Sequence, residues 1–198
     1  MLGRPRQFDE QEVLERAMDM FWSKGYEATS TRELALAMEI SQQSLYNTFG
    51  NKHQLYLRTL DHYQETFSDP FQSKLVNNGA SIETLREFMY ALAKDYGSAE
   101  ERRSCFMANS TMELGARDQD VQERIKHHLT LLEERIDMLL QQERERGRLH
   151  SRRSTRELAR FLSGVIQGLH IFNKAGYSVD MMRQHIDVAL DVVICSGP

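Results

Sequence analysis

The chain has 198 residues, a net charge of −4 at pH 7 and 40% apolar residues, enough for one domain or for a small domain fused to a larger one. No apolar run approaches the ~20 residues of a membrane span, and the N-terminus lacks the apolar stretch of a signal peptide, so a cytoplasmic protein without a membrane partner is expected. Two distant cysteines, Cys105 and Cys195, give neither a disulfide framework nor a Cys-x-x-Cys motif, and three prolines without alternating β-branched runs point to an all-α chain.

Residues 1–7, MLGRPRQ, have no apolar periodicity; Arg4 and Arg6 flank Pro5 in either an extended basic arm suited to a minor groove or a solvated tail. A first helix is expected from Asp9, with Glu12 at capping-box spacing and Phe8 placed to staple onto Val13. Its buried stripe is Val13, Leu14, Ala17, Met18 and Phe21, and Gly25 ends it with Tyr26 folding back on Phe21; it reads as a brace rather than a functional element. Ser30 and Glu33 repeat the capping-box spacing before a short helix from about Thr31 to Met38, whose apolar face is Leu34, Ala35 and Met38. After a turn at Glu39–Ile40, Ser41 caps a second short helix, Gln42 to about Phe49. Two helices joined by so short a turn must cross steeply, which pushes the second one outward.

That second helix carries groups able to read base edges. Gln42, Gln43, Ser44 and Asn47 offer amides and hydroxyls, while Leu45 and Phe49 point to a core. Tyr46, Thr48 and Lys52 are placed for phosphate contacts, which fix register without reading sequence, and Thr31 and Arg32 are counted with the DNA-facing residues. The charge balance does not announce a nucleic-acid binder: residues 1–62 hold seven Lys and Arg against nine acids. Several acids, including Asp9, Glu12 and Glu33, fall in first turns or caps, where they complement the helix dipole.

A long helix is expected from Lys52 towards Thr66, with Asp69–Pro70 ending or kinking it and residues 77–80 forming a loop. Further helices are expected at about 81–96, 104–114, 118–146, 155–174 and 179–194, capped by Ser81, Ser104, Asp118, Ser154 and Ser178 and ended by Gly97, Gly115, Gly147 and Gly176. The stretch from Gln141 to Arg148 reads as a solvated face. Across the middle helices, Tyr63, Phe67, Phe88, Cys105, Asn109, Met112, Glu113 and His128 suit either an apolar small-ligand pocket with a few polar groups or plain core. Cys105, following Arg102 and Arg103 at a helix start, is either a reactive thiolate sensor or a buried inert thiol. The last two helices carry more apolar surface than one core needs. Phe161, Gly164, Val165, Gly168 and Phe172, with Met182, Ile186 and Leu190, either pack against a second chain or fill a monomer core.

Catalytic motifs are lacking: no Gly-rich phosphate loop, no His-Glu-x-x-His, no Gly-x-Ser-x-Gly and no defensible carboxylate pair. Adjacent His127 and His128 point about 100° apart on a helix and do not readily share a metal. Neither an enzyme nor a cofactor or metal site is expected.

The first ~60 residues resemble the TetR family of bacterial regulators. The likeness is carried by Phe21, Trp22, Gly25, Tyr26, Glu27, Thr29 and Ser30, then Ser44, Leu45, Tyr46, Phe49, Gly50 and Lys52, with the opening Gly-Arg-Pro-Arg. One departure is Glu39, where the family usually has glycine in the turn. The resemblance implies an N-terminal three-helix helix-turn-helix domain over 1–51 and a C-terminal effector-binding and dimerisation domain over 52–198. It also implies a homodimer on a double-stranded DNA operator, most simply a repressor released by a small-molecule effector. A helical protein-interaction module is the competing reading, but it has no use for outward-facing Gln42, Gln43 and Asn47.

Overall fold

Each of the first four helices starts on a side chain that takes a free backbone N–H of its first turn. Asp9 caps α1 (Glu10–Lys24), Ser30 caps α2 (Thr31–Ala37), Ser41 caps α3 (Gln42–Phe49) and Asn51 caps α4 (Lys52–Tyr63). The computed structural model describes residues 8–94 and 103–195 and contains helices and no strand among them; Arg4, Arg6, Gly97 and Arg102 lie outside the described residues. The Ser30–Glu33 capping box is closed in both directions, at 3.2 and 2.9 Å. The expected Asp9–Glu12 box does not form: Asp9 accepts from Gln11, and Glu12 turns to Arg16 at 2.7 Å. Glu39 is left-handed, with φ +54°, a conformation that costs a non-glycine residue of order 1 kcal/mol and that the α2–α3 turn imposes.

Helix α4 does not end at Asp69–Pro70. The chain widens into a π-helical turn, Gln64–Ser68, then runs through α5 (Asp69–Gln72) and a 3-10 turn, Ser73–Val76. Pro70 falls in the first turn of α5, where its missing N–H is tolerated. Then follow α6 (Ile82–Ala93), α7 (Phe106–Leu114), α8 (Gln119–Glu145), α9 (Thr155–Lys174) and α10 (Val179–Cys195). Helix α6 stops at Ala93 because Lys94 is already extended. Ser104 is not a cap. It is left-handed at φ +53°, its hydroxyl donates to the carbonyl of His170, and α7 starts two residues later than the spacing implied.

Two apolar cores divide the molecule. One joins α1 to α4 with α7 and the start of α8, around Phe21, Leu34, Leu45, Leu55, Tyr56, Phe106 and Val121; the other joins α6, the rest of α8, α9 and α10, with Leu75. At 27 residues, about 40 Å, α8 reaches both. Its end is less solvated than the sequence implied: Glu143 is buried, held by Arg146 at 3.0 Å and by Arg148. No helix among the described residues is long and apolar enough to cross a membrane.

Candidate nucleic-acid interface and effector cavity

The caps of α2 and α3 and the left-handed turn between them lay α3 across the head with Leu45 and Phe49 buried and Gln42, Gln43, Tyr46 and Asn47 exposed. Ser44 and Thr48 are half-buried, and Ser44 shares a hydrogen bond with the Ser41 cap. Gln43 donates Nε2 to Asn47 Oδ1 at 2.9 Å, which aligns two amides along one edge of the helix. Tyr46 donates to the Thr31 hydroxyl at 3.3 Å, and Lys52 sits 4.2 Å from the centre of the Tyr26 ring.

Pairing accounts for the surplus of acids. Arg16 bonds Glu12 and Glu39, Lys24 bonds Glu33, and Arg58 bonds Glu10. The Lys24 ammonium, then the Ser30 amide and hydroxyl, hold the Glu33 carboxyl down to about 2. Asp19 and Asp61 are engaged by Arg103, just before α7, and by Arg124, at the start of α8. Within residues 8–62, Arg32 and Lys52 are left without an ion pair among the described residues, and they flank α3 in sequence.

The second site is a cavity of about 250 Å³ between α1, the π turn, α5, α6, α8 and α9. Its apolar wall includes Trp22, Tyr63, Phe67, Phe71, Phe88, Leu132 and Ile166; its polar groups are Ser68, Gln72, Ser104, Cys105, His128 and His170. Tyr63 and Phe67 stack at 12° between ring planes, and Trp22 meets both edge-on at 79°. The indole Nε1 donates to the Ser104 carbonyl at 2.9 Å, fixing Trp22 against the entry to α7. Burial pushes both imidazoles down to about 4: burial is the main cause for His128, with nearby Arg135 adding to it, and for His170, with His128 adding to it. Both are therefore neutral at pH 7.

The structure brings Tyr63, Phe67, Phe88, Cys105 and His128 together in this cavity, but not Asn109, Met112 or Glu113. Spaced i, i+3, i+4, those three share one side of α7, away from the cavity. Asn109 accepts from Lys174 and donates to the Arg103 carbonyl, and Met112 is 78% exposed. Glu113 accepts from the backbone N–H groups of Tyr26 and Glu27 at 2.9 and 2.8 Å. Gly25, left-handed at φ +85°, admits this carboxylate where a Cβ would stand 2.9 Å from it. Cys105 is buried, and burial pushes its thiol up rather than down, against the opposing Tyr63 hydroxyl at 3.5 Å. Arg103 is engaged by Asp19. Of the two readings of Cys105, burial and the raised thiol fit the buried, inert one. Trp22 and His170 were missed; Trp22 lies one residue past Phe21, off the buried stripe of α1, and so was assigned no role.

On the last two helices, Phe161 is 47% exposed, Gly164 is exposed, and Val165, Gly168 and Phe172 are half-buried. Met182, Ile186 and Leu190 are instead at most 2% exposed in the core of their own chain. The apolar residues that α10 leaves outward are Met181, Val188 and Val192, on its opposite face.

Comparison with known proteins agrees with this architecture. Residues 13–59 match the model of bacterial regulatory proteins of the tetR family, and residues 81–188 match that of the tetracyclin repressor-like C-terminal domain. The chain is 32% identical to the HTH-type transcriptional repressor ComR of Escherichia coli K12 over 183 residues, 92% of this chain and 87% of ComR. It is 28% identical to the uncharacterized HTH-type regulator YezE of Bacillus subtilis 168, covering 97% and 100% of the two chains. A cysteine-substituted form of the TetR family regulator CifR, solved with 26-base-pair double-strand operator DNA, superposes with a TM-score of 0.83 at 27% identity, covering 96% of this chain and 100% of that one. The chain thus belongs to the TetR family and is a DNA-binding transcriptional regulator.

Proposed function

We propose that two copies of this chain hold their α3 helices in successive major grooves of a palindromic operator, as a repressor released when a small molecule fills the cavity. The observation that carries the reading is Trp22: a residue of α1, the brace of the reading head, forms part of the cavity wall. A molecule entering there meets the head directly. Gln43 and Asn47 read bases as a bonded pair, Thr31, Arg32, Ser44, Tyr46, Thr48 and Lys52 contact the backbone, and Gln42 extends the reading edge.

Selection of duplexes from a random pool tests the DNA half. Asn47→Ala or Gln43→Ala is expected to relax sequence preference by about 1–3 kcal/mol, and the double substitution less than additively because the two amides are bonded. Lys52→Ala should weaken all duplexes alike and lower the salt slope by about 1. Equal loss of selected and random duplex for Asn47→Ala would remove the base-reading assignment.

The proposed dimer face runs along α9 through Phe161, Gly164, Val165 and Gly168 and continues onto α10 through Met181 and Val188. At Gly164 and Gly168 no atom lies within 4 Å of an added Cβ in the single chain, so a larger residue is harmless there unless a second chain approaches. Gly164→Leu is expected to convert the dimer to a monomer in sedimentation while leaving the helical signal intact. An unchanged dimer would place the interface elsewhere.

A further inference from the structure

We propose that the cavity takes an uncharged aromatic molecule of about ten non-hydrogen atoms bearing a hydroxyl group, a simple phenol in class, whose hydroxyl donates to Nε2 of His128. The proposal rests on reading the cavity as the effector site and adds the chemistry of the ligand.

The acceptor is set by a chain of bonds behind the wall. Arg135 donates to Asp69 Oδ1 at 2.8 Å and to Gln72 Oε1 at 2.9 Å. Asp69 Oδ1, a carboxylate oxygen that can only accept, also takes Gln64 Nε2 at 2.8 Å. That turns Gln64 Oε1 towards His128 Nδ1, 2.8 Å away. A carbonyl oxygen cannot donate, so Nδ1 carries the proton; the Ser68 hydroxyl, 3.2 Å from Nδ1 and already accepting from Gln72 Nε2, is the longer second contact of that proton, and Nε2 presents a bare lone pair. Nε2 has no partner among the described residues, yet it is not one of the sealed polar atoms. On a side chain only 4% exposed that lines the cavity, the space it meets is the cavity.

Charge and shape narrow the class further. Arg135 and Asp69 neutralise each other, and both imidazoles are neutral, so no net charge faces the space. An anionic ligand would be desolvated without a counter-charge. A hydrocarbon would strip water from Nε2 and give nothing back. The parallel rings of Tyr63 and Phe67 favour a flat guest. At interior packing density, about 250 Å³ holds on the order of ten non-hydrogen atoms.

Trp22 is the chain's single tryptophan and lines the cavity, so its emission reads occupancy. The full-length protein is titrated with 4-propylphenol, its methyl ether 4-propylanisole, and 4-propylbenzoate. The phenol is expected to change the emission saturably, with the ether and the benzoate each about ten-fold weaker. His128→Phe should bring phenol and ether to within about two-fold; the three-ligand comparison on unaltered protein stands even if that variant fails to fold. No saturable change with the phenol, or equal or tighter binding of the ether or the benzoate, overturns the ligand class. Retention of selected duplex is measured in parallel. If the phenol binds selectively but leaves retention unchanged, the ligand chemistry stands and the regulatory reading falls; if the benzoate releases the duplex instead, the reverse holds.

Discussion

Acidification from pH 7 to pH 4.5 is expected to destabilise the protein by about 5 kcal/mol, lowering the thermal midpoint by roughly 10–20 °C at fixed protein concentration. The source is His128 and His170, buried at 4% and 7% exposure with pKa values pushed down to about 4. The unfolded chain holds both near 6.5 and therefore binds more protons than the native state between pH 6.5 and 4. Their stabilisation is complete above 6.5, declines as pH falls towards 4 and is flat below, with roughly 2–3 kcal/mol lost by each between pH 7 and pH 4.5. Carboxylates held low in the folded state, such as Glu143, lose their contribution at and below their ordinary range, so the upper part of the window belongs to imidazoles. Urea unfolding at several pH values checks this, and His170→Gln should remove about half of the slope. A midpoint that stays constant between pH 6.5 and 5 would mean that these imidazoles are not buried neutral.

Replacing Glu113 with Ala is expected to leave the cavity able to fill, as read by Trp22 emission, while weakening the effector's influence on DNA affinity by about three-fold or more from the 5- to 150-fold usual for allosteric coupling, the path through Trp22 keeping the rest. The entry to α7 at Ser104 and Cys105 lines the cavity, and Glu113, eight residues beyond Cys105, grips the α1–α2 corner through two charge-assisted bonds to backbone N–H groups. Helix α7 is thus a short lever with one end in the cavity wall and the other on the reading head. Without the carboxylate, the corner between α1 and α2 no longer follows α7, although Trp22 remains. Glu113→Gln, able to accept with one oxygen, should fall between. An unaltered fold-change in operator affinity on adding the effector would show that coupling runs through α1 alone.

The reading head was legible because its logic is local. Ser30, Glu33 and Ser41 act within four residues of themselves, and Gly25 and Glu39 bend the chain where the pattern breaks. The cavity was half legible. Tyr63, Phe67, Phe88, Cys105 and His128 were found by composition, but Trp22 and His170 reach it only through the packing of α1 and α9, which no short-range spacing encodes. Asn109, Met112 and Glu113 were misplaced because the left-handed Ser104 leaves Cys105 as the extended cap of α7 rather than within it, so a helical spacing counted from Cys105 does not bring them to the cavity. On α10 the stripe was correct and its partner was not. Met182, Ile186 and Leu190 repeat every four residues, which identifies a packed face without saying which neighbour covers it.

The internal pairing of charge in the head has a consequence for how such a regulator finds its target. With Arg32 and Lys52 as the unpaired cations per head within residues 8–62, two heads on one operator would release about four counterions from those positions, beside whatever Arg4 and Arg6 contribute, so the share of the salt dependence owed to residues 8–62 is shallow. In the proposed complex, telling an operator from bulk chromosome would then rest more on the amides of Gln43 and Asn47 than on the charge of residues 8–62.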